Sequence, residues 1–345
     1  MTTTNGTGNE FDFIAIGDTV TDAFINIEQA SVYKEHDQDG DGTIDEELCF
    51  LNGAKIPYES VTVIPAVGNA ANAAVAAARL GLTSAFVSDV GDDEHGKEII
   101  ATLTKQGVDP RFVRTHPDMS SNYHYVLMHH AERTILIKHE KFPYKLADVG
   151  TPKWFYFSSV GEGTLAYHEE IAAHLAAHPE IKLAFQPGTF QIKIGKDALK
   201  DLYAHTEIFF CNVEEARLIL GTTETNPAKL PAMMSALGPK MSVVTDGPRG
   251  AYAFDGYSGK SYFMPPYPDP KPPVSRTGAG DACSSTITVA LAFGLPFTTA
   301  LQWGPINSMN VVQHVGAQTG LLTRAELEKY LTEKPENYVA KEITV

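Results

Sequence analysis

A glycine-rich segment near the end of the chain carries the residues best suited to chemistry: VSRTGAGDACSSTITVALAFG, residues 274–294. Gly278 and Gly280 let the backbone turn so that successive N–H groups converge, and the apolar run from Ala282 predicts a buried helix. A helix N-terminus of this kind is an anion hole that favours phosphate. Asp281 falls in the first helical turn, where it could cap the helix or accept a proton from an attacking hydroxyl. The spacing alone leaves both roles open.

The composition limits the ligands that such a hole can hold. The chain of 345 residues has 27 Lys and Arg against 42 Asp and Glu, a formal net charge of −15. With this charge and no basic run, we expect binding to neither nucleic acid nor a membrane, so an anionic ligand must be held locally. The sequence shows no apolar run of about 18 residues, no signal-peptide pattern and no disulfide or zinc spacing of its cysteines. We therefore expect a cytoplasmic protein.

Buried strands alternate with helices along most of the chain. The run FDFIAIGD, residues 11–18, is typical of a buried strand whose carboxyl end opens into a loop, and similar runs begin near residues 83, 153, 182, 207 and 241. Helical patterns between them end at Gly81, Gly107 and Gly221. This alternation predicts an α/β fold whose mostly parallel central sheet is covered on both faces and binds ligands at the carboxyl ends of its strands.

Two segments, about 25–64 and 120–138, interrupt the alternation. Their extended patterns lack crossover helices, which predicts a small antiparallel sheet set apart from the main one, a natural lid. The second segment and the residues after it carry aromatic and histidine side chains, but alternation alone does not say which of them face a ligand: Tyr123, His124, Tyr125, His129, His130 and His139.

Four motifs occur in an order that resembles the PfkB, or ribokinase-like, family of carbohydrate and nucleoside kinases. They are PAVGNAANAAVAAARLG with VSDVGDDEHG, then NVEE, VTDGPRG and TGAGDACSS. The resemblance covers almost the whole chain except the segment around 28–47. It implies a ribokinase-like three-layer α/β/α domain over residues 11–345, with a β-sheet lid formed by about 25–64 and 120–138 and an acidic insertion at 28–47.

The resemblance implies a role for each residue that matches a family motif. Asp281 matches the catalytic base of phosphoryl transfer. Asn212 and Glu215 match a pair that helps order magnesium and its waters, so Glu215 need not touch the metal directly. The anion hole is matched by Gly278, Ala279 and Gly280. The nucleotide site is matched by Thr245, Gly247 and Gly250. The site for substrate hydroxyls is matched by Asp22, Gly68, Asn69 and Asn72.

Three positions depart from the family pattern. The usual pair of glycines is Val67-Gly68 here, which implies a tighter substrate pocket. Ser275-Arg276 replaces the usual Asp-Thr and removes a carboxylate that helps many relatives hold a monovalent cation, which argues against potassium activation. Pro305 aligns where relatives often carry Asn or His near the adenine, so we assign no side chain to adenine recognition.

An acidic segment, HDQDGDGTIDEEL, resembles the loop of an EF-hand calcium site. Its candidate calcium ligands are Asp37, Asp39, Asp41 and Asp45. Leu48 occupies position 12, where the loop needs a bidentate Glu, and Glu47 falls one residue early. No pair of amphipathic helices flanks the loop. We therefore favour a solvated acidic insertion over calcium binding.

These features together predict an ATP- and magnesium-dependent kinase that transfers the γ-phosphate to a primary hydroxyl of a sugar or sugar-like substrate, with Asp281 as general base. A nucleoside kinase is the alternative, in which Tyr123, Tyr125 or Phe142 contacts a base. A non-catalytic or calcium-responsive ligand-binding protein is a further alternative, which the intact motifs disfavour. Lid sheets of this family often pair between subunits, so we expect either a homodimer through the lid or an acidic insertion that blocks that edge.

Overall fold

The computed structural model describes residues 10–34, 46–129 and 132–345. Its strands are β1 (Phe13–Ile16), β2 (Val20–Asn26), β3 (Ser31–Lys34), β4 (Glu46–Cys49), β5 (Ser60–Val67), β6 (Ser84–Gly91), β7 (Val108–Asp109), β8 (Val113–His116), β9 (Tyr123–His129), β10 (Glu132–Leu136), β11 (Trp154–Phe157), β12 (Lys182–Phe185), β13 (Thr206–Asn212), β14 (Met241–Thr245), β15 (Ala251–Asp255), β16 (Lys260–Met264) and β17 (Lys341–Ile343). Its α-helices are α1 (Asn69–Leu80), α2 (Glu94–Lys105), α3 (Leu165–Ala177), α4 (Thr189–Ile194), α5 (Lys200–Ala204), α6 (Val213–Leu220), α7 (Leu230–Ser235), α8 (Ala279–Ala292), α9 (Phe297–Val311) and α10 (Arg324–Thr332).

Within these residues, one large sheet has the strand order β17-β16-β15-β14-β13-β12-β11-β1-β6-β7, and β8 also pairs with β6. The strands from β7 through β14 pair in parallel, whereas β14, β15, β16 and β17 pair antiparallel at one side. The parallel strands bring their carboxyl ends to a common edge, where polar residues follow them. This edge is where a ligand site is expected in an open α/β sheet.

Two apolar cores lie on opposite faces of the large sheet. Phe13 and Ala15 of β1 pack in the core that includes α1, α2, α8 and α9. Ile14 and Ile16, which alternate with them, pack in the core that includes α3, α5, α6 and α7. The alternation follows from the pleat of a strand, whose successive side chains point to opposite faces. The predicted three-layer fold with a mostly parallel central sheet is therefore confirmed.

A separate four-stranded sheet has the order β10-β9-β2-β5, and we call it the small sheet. β2 pairs in parallel with β9 and antiparallel with β5, so that Ala23 lies opposite both Tyr125 and Val63. β3 and β4 form a separate antiparallel pair. The small sheet draws strands from both segments that were expected to form a lid. The expectation of an antiparallel sheet was wrong for the pair β2–β9, which is parallel, because the chain between these strands includes helices and is long enough for a crossover. Closure of the small sheet over a bound ligand stays a prediction.

Among the described residues, no helix combines the length and the apolar character that a membrane crossing requires. The four candidate calcium ligands, Asp37, Asp39, Asp41 and Asp45, lie outside the described residues. The calcium prediction is therefore neither supported nor contradicted.

Candidate active site

Asp281 lies in the first turn of α8, where several elements of the fold converge. Asn69 and Asn72, in the first turn of α1, donate from their side-chain amides to its two carboxylate oxygens over 3.1 and 2.8 Å. Gln186 directly follows β12 and donates from Nε2 to Oδ1 of Asp281 over 3.0 Å. A carboxylate that is held by three amide donors has a fixed orientation and remains able to accept a proton.

The start of α8 distinguishes between the two roles that the sequence left open for Asp281. Gly278 is the N-cap residue, and no side chain caps the helix. Burial raises the pKa of Asp281 above its ordinary value of 3.8, although hydrogen bonds from Asn72, Gln186 and Asn69 act to lower it. A carboxylate with a raised pKa is a better proton acceptor than an ordinary one. The structure thus excludes the capping role and leaves a geometry that suits a base.

A second set of contacts fixes the amide of Gln186. Tyr156 donates its hydroxyl hydrogen bond to Oε1 of Gln186, and the hydroxyl of Ser284 lies 3.0 Å from the same atom. Burial, together with the charge of Asp281, raises the pKa of Tyr156, so its hydroxyl stays a donor. Because Oε1 is engaged by hydroxyl groups, the amide must present Nε2 to Asp281. Gln186 is therefore positioned to orient the carboxylate.

We expect Gln186→Met to shift the acid limb of kcat/KM to higher pH. The hydrogen bond from Gln186 lowers the pKa of Asp281, so its loss raises that pKa further. Since a base must be ionised, a higher pKa means that activity is lost at a higher pH as the solution is acidified. The measurement is the pH profile beside Gln106→Met, which changes a glutamine bonded to Arg79 instead. Equal shifts in both variants would contradict the role of Gln186.

Gly278 starts α8 in a conformation that glycine adopts readily. Its φ is +79°, and a Cβ there would lie 2.3 Å from Cβ of Ala317. The N–H of Ala282 donates to the carbonyl of Gly278 over 2.9 Å. Gly280 and Asp281 come before Ala282, in the first turn of α8, where N–H groups have no acceptor within the helix. Unpaired N–H groups at the positive end of a helix have the geometry that an anion hole requires.

A cavity of about 610 Å³ lies between the start of α8 and the turn after β14. Its volume falls in the range of small-molecule and cofactor sites. Its lining carries charges of both signs, including the cations Arg249 and Arg276 and the carboxylates of Glu214, Asp246 and Asp269. The cavity brings together six of the predicted site residues: Asn212, Thr245, Gly247, Gly250, Ala279 and Gly280.

The turn after β14 forms one wall of this cavity. Gly247 and Gly250 have φ of +53° and +106°, and a Cβ on Gly250 would lie 2.5 Å from the carbonyl oxygen of Met264. The N–H of Asp246 donates to the carbonyl of Gly250 over 2.8 Å. Arg249 donates from Nε to the carboxylate of Asp246 over 2.9 Å. The two glycines and the internal hydrogen bonds give the wall a defined shape.

Comparison with known proteins identifies the family to which a chain with this site geometry belongs. The sequence model of the pfkB family carbohydrate kinases matches residues 52–324. The chain belongs to this family. The resemblance seen in the sequence is therefore confirmed, and so is the expected class of enzyme, a phosphotransferase of the pfkB kinases.

Several individual proteins are similar to this pfkB kinase over most of their length. Ribokinase of Bacillus subtilis is 27% identical over 281 residues, which cover 77% of this chain and 87% of that protein. Fructoselysine 6-kinase of Escherichia coli is 24% identical, with coverage of 72% and 90%. Among solved structures, Arabidopsis thaliana ribokinase complexed with ribose and ATP has a TM-score of 0.75 at 20% identity, with coverage of 93% and 98%. The nucleoside kinase of Methanocaldococcus jannaschii has a TM-score of 0.70 at 19% identity, with coverage of 94% and 100%.

In this pfkB kinase, Asn212 and Glu215 form a capping box at the start of α6. Asn212 accepts from the N–H of Glu215 over 2.7 Å, and Glu215 accepts from the N–H of Asn212 over 2.9 Å. Burial, with the negative charges of Asp281 and Glu214, raises the pKa of Glu215. A hard cation with oxygen ligands would relieve this accumulation of carboxylates. In the described residues no three His, Cys, Asp or Glu side chains are arranged to hold a metal, and a magnesium ion beside Glu215 stays a prediction.

The residues predicted to bind substrate hydroxyls lie on both sides of the carboxyl edge of β1. Asp22 belongs to β2 of the small sheet. Its Oδ1 is buried, lies 3.4 Å from Nδ1 of His124 and has no hydrogen-bond partner in the part of the chain that the structure describes. Gly68 precedes α1 with a φ of +116°, and a Cβ there would lie 2.9 Å from the carbonyl oxygen of Asp18. The other two predicted residues are the asparagines of α1 that hold Asp281. Two of the four predicted acceptor residues, Asn69 and Asn72, therefore contact the predicted base directly.

Sequence reasoning does not single out Asp18, although it comes just after β1. Its carboxylate accepts from the hydroxyl of Tyr144 over 2.9 Å and lies 3.0 Å from Nδ1 of His139. Gln186 is a second residue that the sequence analysis leaves out. Both are polar residues that follow a buried strand at the ligand-binding edge, and this position is the signal that could have identified them.

Proposed function

We propose that the chain transfers the γ-phosphate of ATP to a primary hydroxyl of a sugar or sugar-like acceptor, with Asp281 as general base. The observation that carries the proposal is the position of Asp281 and Gly280 in one helical turn. The carboxylate of Asp281 is held by side chains from α1 and from the end of β12, while Gly280 lines the cavity. A base and an anion hole in adjacent residues lie where an acceptor and a phosphoryl donor would meet, as in-line transfer requires.

Each group has a step to perform in this reaction. Asp281 accepts the proton of the acceptor hydroxyl as that oxygen bonds to the γ-phosphorus, the bond from the γ-phosphorus to the bridging oxygen breaks, and ADP leaves. Asn69 and Asn72 keep the carboxylate in place. The N–H groups of Gly280 and Asp281 stabilise the negative charge on the transferring phosphoryl group. Closure of the small sheet would exclude water, which otherwise competes with the acceptor.

Magnesium fits the border of the cavity beside α6. When bound, it supplies positive charge that neutralises the phosphates. Glu215 would hold it through water, while the same carboxylate caps α6. Glu215→Gln retains an oxygen that can accept from Asn212 but removes the charge. We expect the variant to lose most of the magnesium-dependent gain in ADP affinity measured by calorimetry, and an unchanged gain would contradict this role.

Arg276 is expected to support binding of the ATP phosphates, since it is an exposed cation that lines the cavity. Arg276→Gln should raise KM for ATP about threefold to tenfold, because the contact is made at a solvent-exposed rim. KM for the acceptor should stay the same. The control is Arg324→Gln on α10, where the guanidinium pairs with Glu328. Equal KM values for ATP in the two variants would show that Arg276 does not bind the phosphates.

The proposed reaction is tested by ATP-to-ADP turnover with magnesium over a panel of acceptors. The panel contains ribose, fructose, 2-keto-3-deoxygluconate, sugar phosphates, adenosine and other nucleosides, each with and without calcium. Turnover that depends on a sugar supports the proposal, since similar proteins include enzymes named ribokinase and fructokinase. Preference for a nucleoside would favour the alternative, for which the nucleoside kinase of similar fold is the supporting observation. ATP binding without transfer to any acceptor would indicate a binding protein.

The small sheet also offers a surface for a second copy of the chain, and we propose a homodimer through it. Val61, Val63, Tyr125 and Leu136 are between 45% and 52% exposed although they are large apolar side chains. Val63 and Leu136 lie in one cross-strand row with Tyr125, so they can form a continuous apolar face. Analytical ultracentrifugation should give a dimer that Tyr125→Glu converts to a monomer. A parent chain that sediments as a monomer would contradict the proposal.

A further inference from the structure

A chain of polar contacts connects the small sheet to the carboxyl end of β1. Asp22 of β2 lies 3.4 Å from Nδ1 of His124 on β9. The ring of His124 lies 5.1 Å from the ring of His139, measured between centroids. Nδ1 of His139 lies 3.0 Å from Oδ2 of Asp18. Asp18 is separated from the end of β1 by a single glycine. We call Asp18, Asp22, His124 and His139 the histidine cluster.

The histidine cluster contains polar atoms that lack partners. Oδ1 of Asp22 and Nε2 of His124 are both buried and have no hydrogen-bond partner among the described residues. Only 15% of the Asp22 side chain and 12% of the His124 side chain are exposed. Unpaired buried polar atoms are unfavourable, and native proteins rarely leave them so. A ligand hydroxyl, which both donates and accepts, would satisfy an oxygen acceptor and an imidazole nitrogen together.

The histidine cluster lies beside the residues that hold the base. The main chain of Asp18 approaches Gly68, the residue before Asn69, which donates to Asp281. On the other side, the ring of His139 lies 5.8 Å from the ring of Phe190 in α4, four residues after Gln186. Gln186 also donates to Asp281. The two connections therefore place the cluster next to residues that hold Asp281.

Within the described residues, the ion pairs of Asp18 and Asp22 are made by His139 and His124, and no Lys or Arg pairs with either carboxylate. Arg114 pairs through two nitrogens with Asp89, over 2.9 and 3.0 Å. Lys138 pairs with Glu140 over 2.7 Å. Lys193 is exposed and its Nζ lies 5.6 Å from the centroid of the Phe190 ring. If the site bound an anionic acceptor, Lys193 would be the cation to pair with it. An anionic acceptor would lie beside the carboxylates of Asp18 and Asp22, and the part of the chain that the structure describes provides no Lys or Arg paired with them.

We propose that the histidine cluster is a specificity subsite that binds the hydroxyls of an uncharged polyhydroxyl acceptor. It rejects acceptors that carry a carboxylate or phosphate where they meet the cluster. The inference rests on the proposed function, because it names the acceptor class of the same site. It extends the site beyond Asp22 to Asp18, His124 and His139. A metal ion is a poor occupant, since the described residues hold no suitable group of three ligands. Like charges brought together at a binding site cost enough to reduce kcat/KM at least about 100-fold.

The test compares neutral and anionic acceptors on the parent enzyme and on variants. Fructose and ribose are compared with 2-keto-3-deoxygluconate and fructose 6-phosphate, by turnover with ATP and by the shift each causes in the melting temperature. We expect neutral acceptors to be preferred at least about 100-fold in kcat/KM. His139→Gln and His124→Gln should raise KM for the neutral acceptor about tenfold or more while KM for ATP stays unchanged. Lys193→Gln is the matched control and should change neither value.

Asp18→Asn supplies a readout that a merely structural role would not produce. Removing one negative charge should reduce the discrimination against 2-keto-3-deoxygluconate about tenfold relative to fructose. If Asp18→Asn unfolds because it loses contacts with Tyr144 and His139, the two histidine variants decide. A parent enzyme that prefers an anionic acceptor, or Lys193→Gln that abolishes such a preference, would overturn the inference.

The melting-temperature arm separates this inference from the proposed reaction. If neutral acceptors raise the melting temperature and anionic ones do not, the subsite stands even when no phosphate is transferred. Failure of transfer with intact ATP binding would then count against the proposed function alone. If no acceptor of the panel changes the melting temperature or turns over, the histidine cluster does not bind such hydroxyls and the inference fails.

Discussion

Replacing Asp281 by Asn is expected to lower kcat about 10²–10⁴-fold, the usual range for losing a general base. The amide cannot accept the proton of the attacking hydroxyl, because its nitrogen carries two hydrogens and its oxygen is a weak base. The phosphate-facing N–H groups of the helix start belong to the main chain and remain. ATP affinity should therefore change little. Single-turnover kinetics with saturating acceptor would measure the chemical step, and calorimetry would measure ATP affinity.

A matched control is Asp201→Asn, which changes an exposed carboxyl on α5. It should retain the parent kcat. A parent-like kcat in Asp281→Asn would show that another group accepts the proton. Loss of ATP affinity together with kcat would point instead to a rearranged start of α8, since Asn69, Asn72 and Gln186 all donate to the carboxylate that the substitution removes.

The local parts of this site are readable from the sequence. A buried apolar run that ends in a polar residue predicts a parallel strand with its ligand-binding end, as in β13, where Asn212 is both the last strand residue and the cap of α6. The spacing of Asn212 and Glu215 is also the spacing of a capping box, which the structure shows them to form. The motif therefore predicted where Asn212 and Glu215 lie in the fold, but it did not predict the hydrogen bonds between them.

The long-range contacts could not be read in the same way. Asn72 and Asp281 are 209 residues apart, and His139 and Asp18 are 121 residues apart. Periodicity shows which side of a strand is buried but not which strand lies next to it. The antiparallel strands at one side of the large sheet illustrate this, because β15 and β16 have the same alternating character whichever neighbour they pair with. For the same reason, the lid pattern could not show that His139 would lie against Asp18.

The second large effect is expected at Gly278 and Gly280, the two glycines at the start of α8. Replacement by alanine should change the free energy of unfolding in opposite ways at these two positions. Gly278→Ala places a Cβ 2.3 Å from Cβ of Ala317 on a backbone with φ of +79°. The left-handed backbone alone costs about 1–2 kcal/mol, and the contact with Ala317 adds to it. We expect a clear fall in the free energy of unfolding and loss of turnover. Gly294→Ala is the control, because this glycine follows the same helix with φ of +76° and nothing within 4 Å of a Cβ. It should lose stability but keep its activity while folded.

Gly280→Ala has no such steric conflict, because no atom lies within 4 Å of a Cβ at that position. In the first turn of α8, alanine is favoured over glycine by up to about 1 kcal/mol, so the free energy of unfolding should stay equal or rise. The added methyl group projects from a residue that lines the cavity, where the proposed phosphoryl group must approach the main-chain N–H. A displacement of about 1 Å there should lower kcat/KM for ATP about 10²-fold. A stable Gly280→Ala variant with parent-like kinetics would show that the phosphate binds elsewhere, since the proposed anion hole has no room for both the methyl group and a phosphate oxygen at hydrogen-bond distance.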